Sequence, residues 1–385
     1  IGCERCHGPG ATHVEHYRHP DTFNGVDRLV NPARLDPIRR DAVCHQCHYQ
    51  AGKTVPRYGK RSLDFRPGDR MTDVWVVLNS KLGERQAVTQ SEQMLASTCY
   101  RSSSGRMGCI SCHNPHGLPA GDPAVAFDKK CAACHAEGQS ECSLAVQERA
   151  DKTCVGCHMP RFDTSNIPNT ALTDHRLLRS PSQASRSGAA SKAVFDEGEP
   201  TLPDWETRRA EALLYRIDRT LVRGPRDLER AAKLLRELER QVPDDPEVWE
   251  ARAWIASRLG KWADVETAAR KALELAPKRI DSHELLLGAL ADRSAWQDVL
   301  DECELLLKLD PDKALYHTTL AEAAWHLGDV DRGLAAAERS LECNPTQMDL
   351  RRKLARAYGQ LGNMERAQTH RRVLEESMKT PQSGR

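Results

Sequence analysis

The sequence has almost no charge imbalance: 56 Lys and Arg stand against 55 Asp and Glu in 385 residues. A polyanionic partner is therefore not indicated, and nucleic acid binding is not expected. No apolar run is long enough to span a bilayer, so no membrane-spanning segment is expected in this chain. A signal-peptide pattern is also missing. The chain starts with Ile rather than Met, and a cysteine motif stands only two residues in. A processed form or a fragment, with an N-terminally truncated first domain, is the expectation. Large apolar side chains are scarce over the first 175 residues, and alone they would give that segment a thin core.

What that segment does have is cysteine and histidine. Twelve of the 14 cysteines lie between Cys3 and Cys157, and eleven of the 15 histidines lie before residue 176. Ten of those cysteines form one pattern, C-x-x-C-H: Cys3, Cys6 and His7; Cys44, Cys47 and His48; Cys109, Cys112 and His113; Cys131, Cys134 and His135; Cys154, Cys157 and His158. This is the covalent attachment motif of a c-type haem. Two thiols one helical turn apart add to the porphyrin vinyl groups, and the next histidine ligates the iron from below. Zinc ribbons and plain disulfides also use C-x-x-C pairs, but neither requires histidine after the second cysteine each time. At the histidine frequency of this chain, five such coincidences have a probability of roughly 10⁻⁷. Five haem c groups are therefore expected, and they would supply the missing core. Their close spacing in sequence implies closely spaced irons and electron hopping between them.

Five proximal histidines leave His13, His16, His19, His45, His116 and His175 for the opposite faces of the irons. The near match in number points to mostly bis-histidine coordination, which carries electrons but leaves no open position for a substrate. His116 follows Asn-Pro, where proline ends the short helix and turns the side chain toward a neighbouring haem. His13 follows Gly8-Pro9-Gly10, and His175 follows a proline-containing loop, with Asp174 a candidate partner for its ring. His16 and His19 share a helical face with His13, so one of them ligates or both are solvated. His45, inside a C-x-x-C, is expected not to ligate, and Met159 cannot reach the other face of its own haem. Met71, Met94 and Met107 are alternatives. Cys99 and Cys142 are left over, as a disulfide or as free thiols.

The second half keeps a different rhythm. Pro243, Pro277, Pro311 and Pro345 recur every 34 residues, and Leu259-Gly260, Leu327-Gly328 and Leu361-Gly362 fall on the same frame. This is the tetratricopeptide (TPR) period. About five helix–turn–helix repeats are expected across 209–378, stacked into a superhelix whose concave face binds peptides or proteins. The repeat at 280–313 departs from the frame, with Arg293-Ser294 in place of Leu-Gly. His283 and His317 hold the consensus Trp position and read as packing residues, and Cys303 reads as inward-facing.

The expected fold class is thus mainly α. A multihaem domain over 1–179, with little regular structure besides short helices, precedes a flexible linker at 180–200, a TPR superhelix at 201–379 and a disordered tail at 380–385. The linker reading rests on a Ser/Ala/Gly-rich run followed by an acidic one.

The stretches CERCHGPGATH, CISCHNPHG and CVGCHMPRFDTSNIPNTALTDHR resemble the cytochrome c-554-type multihaem cytochromes. In that family the histidines of Gly-Pro-Gly-x-x-His and C-x-x-C-H-x-P-H ligate neighbouring haems, which the resemblance carries to His13 and His116. With a TPR tail, the arrangement looks like a type found in secreted bacterial proteins. Haem attachment outside the cytoplasm implies a periplasmic or otherwise exported protein. The leading expectation is an electron relay whose repeats dock a redox partner. The alternative is a multihaem oxidoreductase acting on a small nitrogen or sulfur compound at a five-coordinate haem, since the same superfamily holds such enzymes. The C-x-x-C-K of the nitrite reductase catalytic haem is absent. A third reading makes the repeats a scaffold that carries haems.

Overall fold

The computed structural model describes residues 2–49, 53–78, 90–118, 121–135, 153–163, 171–179, 202–217 and 221–379. Cys142, the linker expected at 180–200 and the tail at 380–385 lie outside them. The fold is mainly α, in two compact units, Ile1–Ala210 and Glu211–Arg385.

The first unit is built from short helices: α1 (Glu4–His7), α2 (Ala11–Arg18), α3 (Pro37–His48), α4 (Met71–Val74), α5 (Gln90–Ala96), α6 (Thr98–Ser102), α7 (Cys109–Cys112), α8 (Pro123–His135) and α9 (Cys154–His158). α3 starts where its sequence says it should. Asp36 accepts from the backbone N–H groups of Ile38 and Arg39, and Pro37 takes the first helical position. Each C-x-x-C-H begins or ends a helix, which puts its two thiols on one side, a turn apart.

Two small antiparallel hairpins were not legible in the sequence. β1 (Lys53–Pro56) pairs with β2 (Trp75–Leu78), and β3 (Arg161–Asp163) pairs with β4 (Ala171–Thr173). The first hairpin helps to close an apolar cluster of Ala42, Tyr49, Phe65, Met71, Val74, Trp75 and Val77, with the Phe65 and Trp75 rings stacked at 5.4 Å. The segment thus has a modest core of its own. Met71, an alternative ligand from sequence, is spent in it, and Met94 is also buried.

Helix α10 (Asp204–Ile217) straddles the division, with Asp204–Ala210 counted in the first unit. The division falls inside this helix rather than at the expected start of the repeats at residue 201. Within the first unit, buried Glu206 receives both ends of the Arg57 guanidinium at 3.1 and 2.9 Å and the Tyr58 N–H at 3.1 Å. Arg209, also buried, donates to the Pro56 carbonyl at 2.7 Å.

The rest is a run of antiparallel helix pairs. α11 (Pro225–Gln241) is followed by α12 (Pro246–Arg258) with α13 (Trp262–Leu275), α14 (Ile280–Asp292) with α15 (Trp296–Leu309), α16 (Ala314–His326) with α17 (Val330–Cys343), and α18 (Met348–Gln360) with α19 (Met364–Lys379). Alanines such as Ala253, Ala268, Ala269, Ala321 and Ala337 let the helices approach closely around one continuous apolar core. Gly260, Gly328 and Gly362 turn each pair with φ of 69°, 83° and 76°, and Ser294 takes the same left-handed turn at φ 60° in the departing repeat. That repeat keeps its geometry at some cost in backbone strain. Cys303 is fully buried, and burial pushes its thiol up to about 12. It is an inert packing group, as its inward position implied. No helix among the described residues is long and apolar enough to cross a membrane.

Candidate haem sites

The five cysteine motifs lie next to one another in the order of the sequence. Gln46, within the second motif, donates to the Arg5 carbonyl within the first at 3.2 Å. Cys6 is within electrostatic reach of Cys44 and Cys47. Cys44 and Cys109 lie within interaction range, which brings the second motif to the third and holds the Cys44 pKa down while raising that of Cys109. The His113 ring of the third motif meets Phe127 of α8, the helix carrying the fourth, edge-on at 5.5 Å. Asp128 of α8 accepts from the Val155 N–H of the fifth motif at 3.4 Å. Burial and nearby Cys154 push Cys131 up to about 11.

Two of the proximal histidines face a candidate distal histidine. Nε2 of His7 and Nε2 of His116 are 3.5 Å apart, with ring planes inclined by 11°. The rings of His113 and His175 stand parallel to within 23°, their centroids 6.2 Å apart. Metal–imidazole bonds of roughly 2 Å each would separate two ligating nitrogens by about 4 Å and the ring centroids by about 6 Å. The two pairs come close to those spacings.

The other ring nitrogen is occupied in each case where a hydrogen bond is seen. Nδ1 of His7 lies 2.7 Å from the Val30 carbonyl, and Nδ1 of His158 lies 2.6 Å from the Leu178 carbonyl. Nδ1 of His175 lies 2.8 Å from the Thr173 carbonyl. A carbonyl can only accept, so each Nδ1 carries the hydrogen and each Nε2 keeps its lone pair, as a metal-ligating histidine requires. Burial also holds His113 and His175 below the usual imidazole range, which favours the neutral ligating form.

The structure places the remaining sequence candidates less uniformly. His13, on α2, donates from Nδ1 to Asp27 at 2.8 Å, a carboxylate–histidine pair of the sort that orients metal ligands. Asp27 was not foreseen, and no spacing rule pointed to it. Asp174, expected as the partner of the His175 ring, instead binds Arg176 through both carboxylate oxygens. His16 packs edge-on against Tyr17 and Phe23 at 5.0 Å, and His19 is exposed near Glu15. His45 is 1% exposed within α3, and burial pushes its pKa down to about 4. His48 and His135 end α3 and α8 as the motifs predict. Among the described residues no three His, Cys, Asp or Glu side chains converge on one point as a closed metal-ion site would require.

No protein-family model matches the chain, and no curated protein matches it. Solved structures do. MamA from residue 41 onward, from Desulfovibrio magneticus RS-1, is 18% identical over 48% of this chain and 100% of its own, with a TM-score of 0.42. A second MamA crystal structure is 15% identical over 47% of this chain and 98% of its own, with a TM-score of 0.38.

Proposed function

We propose that the first unit is a multihaem c-type cytochrome that relays electrons through five covalently attached haems, and that the repeat unit docks its protein partner. The observation that carries this reading is the succession of the five C-x-x-C-H motifs, each held against the next. Haem c, when bound, supplies a one-electron iron couple at each motif. The residues around it do the rest. Cys3 and Cys6, Cys44 and Cys47, Cys109 and Cys112, Cys131 and Cys134, and Cys154 and Cys157 tether the groups. His7, His48, His113, His135 and His158 would each ligate the iron of their own motif. His116 would add a second ligand at the first site and His175 at the third, so that later segments would tie back onto earlier motifs. The Nδ1–H bonds to Val30, Thr173 and Leu178 fix ring orientation.

Attachment of haem c places the protein outside the cytoplasm, in the periplasm or beyond. The repeats offer the extended face that solenoids use for protein recognition.

Intact mass of the exported protein counts the haems, and the reduced visible spectrum with and without carbon monoxide counts open irons. Five haems and no spectral change are expected for a relay. A change equivalent to about one haem would favour an oxidoreductase with one open coordination position. A chain with no covalent haem sinks both readings.

A further inference from the structure

The second and third motifs are joined by more than their thiols. Arg40 and Asp41, on the first turns of α3, are 9% and 1% exposed and form a bidentate pair, Nε to Oδ1 and Nη2 to Oδ2, both at 2.9 Å. The same guanidinium donates from Nη1 to the Gly105 carbonyl at 3.1 Å and from Nη2 to the Met107 carbonyl at 2.8 Å. Those two carbonyls belong to the turn that launches Cys109, the first residue of α7. Cys44 stands one turn further along α3. One buried fork therefore spans from the helix of the second motif to the backbone of the third.

The fit is close enough to dictate a residue. A Cβ on Gly108 would lie 2.1 Å from Arg40 Nη2 and 2.5 Å from Asp41 Oδ1. The φ of Gly108 is −169°, extended backbone open to any residue, so the glycine is needed for this approach alone. Such an arrangement is more than helix stability asks. A buried pair of this kind seldom stabilises a fold over an apolar alternative, and its best-attested use is to fix register.

We infer that Arg40 and Asp41 are positioning residues that set the separation of the second and third haem sites and hence the electronic coupling between them. This rests on the haem reading above. The fork holds the Gly105–Met107 turn and the turn leads into Cys109, so one guanidinium links the attachment cysteines of the two motifs.

The test uses the full haem-loaded chain and three variants. Gly108→Ala displaces the fork without changing any charge. Arg40→Lys keeps the charge but cannot make the planar bidentate contact. Asp36→Ala removes the cap of the same helix and leaves the fork in place, so it controls for simple loosening of α3. Intact mass, electron paramagnetic resonance of the oxidised protein and a redox titration are read on each. With five haems present, Gly108→Ala and Arg40→Lys are expected to alter the magnetic interaction between two ferric haems and to shift two of the five reduction potentials. Asp36→Ala is expected to leave both at wild type. Wild-type spectra and potentials in both fork variants would overturn the inference, as would equal changes in Asp36→Ala. If the alanine variant loads fewer haems, the lysine variant carries the decision alone. A wild-type chain without covalent haem would overturn the haem reading itself, an outcome distinct from unchanged variants carrying five.

Discussion

Nε2 of His283 lies 2.8 Å from the carbonyl oxygen of Pro277, six residues earlier. The same bond recurs on the 34-residue frame. Trp249 Nε1 donates to the Pro243 carbonyl at 2.8 Å, His317 Nε2 to Pro311 at 2.8 Å, and Arg351 Nη2 to Pro345 at 3.2 Å. Three residue types thus fill one role. The fourth helical position of each repeat supplies an N–H that satisfies the carbonyl left open where the preceding helix pair ends. His283 and His317 are therefore more than packing groups.

His283 is the buried member of the series, 5% exposed, and its Nδ1 also meets Glu302. Replacing His283 with Phe keeps the bulk but strands the Pro277 carbonyl, at an expected loss of about 1–3 kcal/mol. His283→Trp restores the N–H and should recover part of it. Urea unfolding followed by circular dichroism reads both. Equal stability of the Phe and Trp variants would show that the carbonyl bond contributes nothing.

Glu250 is 1% exposed on α12 and sits among Arg279, Ser282 and Arg216. Burial opposes its ionisation, but the Arg279 and Ser282 hydrogen bonds and the charge of Arg216 outweigh it and hold the carboxyl below its ordinary 4.5. A carboxylate depressed in the folded state releases its proton earlier there than in the unfolded chain. Its stabilisation is complete above about pH 4.5 and is lost as the pH falls through the lower folded value. Glu250→Gln should flatten that acid limb in thermal melts between pH 3 and 5, roughly the carboxylate range. An unchanged pH slope in the variant would count against the assignment.

Glu206 ties α10 to the first unit through Arg57. A chain ended at residue 217 is expected to keep the first unit intact, whereas one ended at 203 loses Glu206 and Arg209 together. Removing the carboxylate from Arg57 and the Arg209 donor from the Pro56 carbonyl should cost about 1–3 kcal/mol. Glu206→Ala in the full chain should reproduce most of that loss. Thermal unfolding followed by circular dichroism measures all three, and equal midpoints would place the functional boundary before Asp204.

His116 faces His7, so on the haem reading proposed above His116→Ala should open one iron without removing a haem. Carbon monoxide uptake should rise by about one equivalent per chain, the expectation for a single vacated position. His19→Ala, at an exposed side chain on α2, should leave uptake as in the wild type. The same rise in both variants would detach His116 from the first site.

Much of this architecture could be read directly. The 34-residue spacing of Pro243 to Pro345 is a local covenant between loop and helix, repeated with little interference from distant residues, so the helix pairs follow from it. The C-x-x-C-H motifs are equally local, since one helical turn brings each pair of thiols together. Less was legible where the partner is remote. Asp27 for His13, fourteen residues on, and the hairpin that gathers Phe65, Met71 and Trp75 depend on how loops close, and no periodicity records that.

The sequence by itself determined the helix pairs, the turn positions and the five C-x-x-C-H motifs, because each rests on contacts within about two helical turns or on a fixed repeat. Tertiary structure alone decided which histidine faces which, His116 with His7 and His175 with His113. It also decided that one buried fork, Arg40 with Asp41, should hold Cys109 against Cys44. Those are choices of distance and direction between segments far apart in the chain, and only the closure of the fold supplies them.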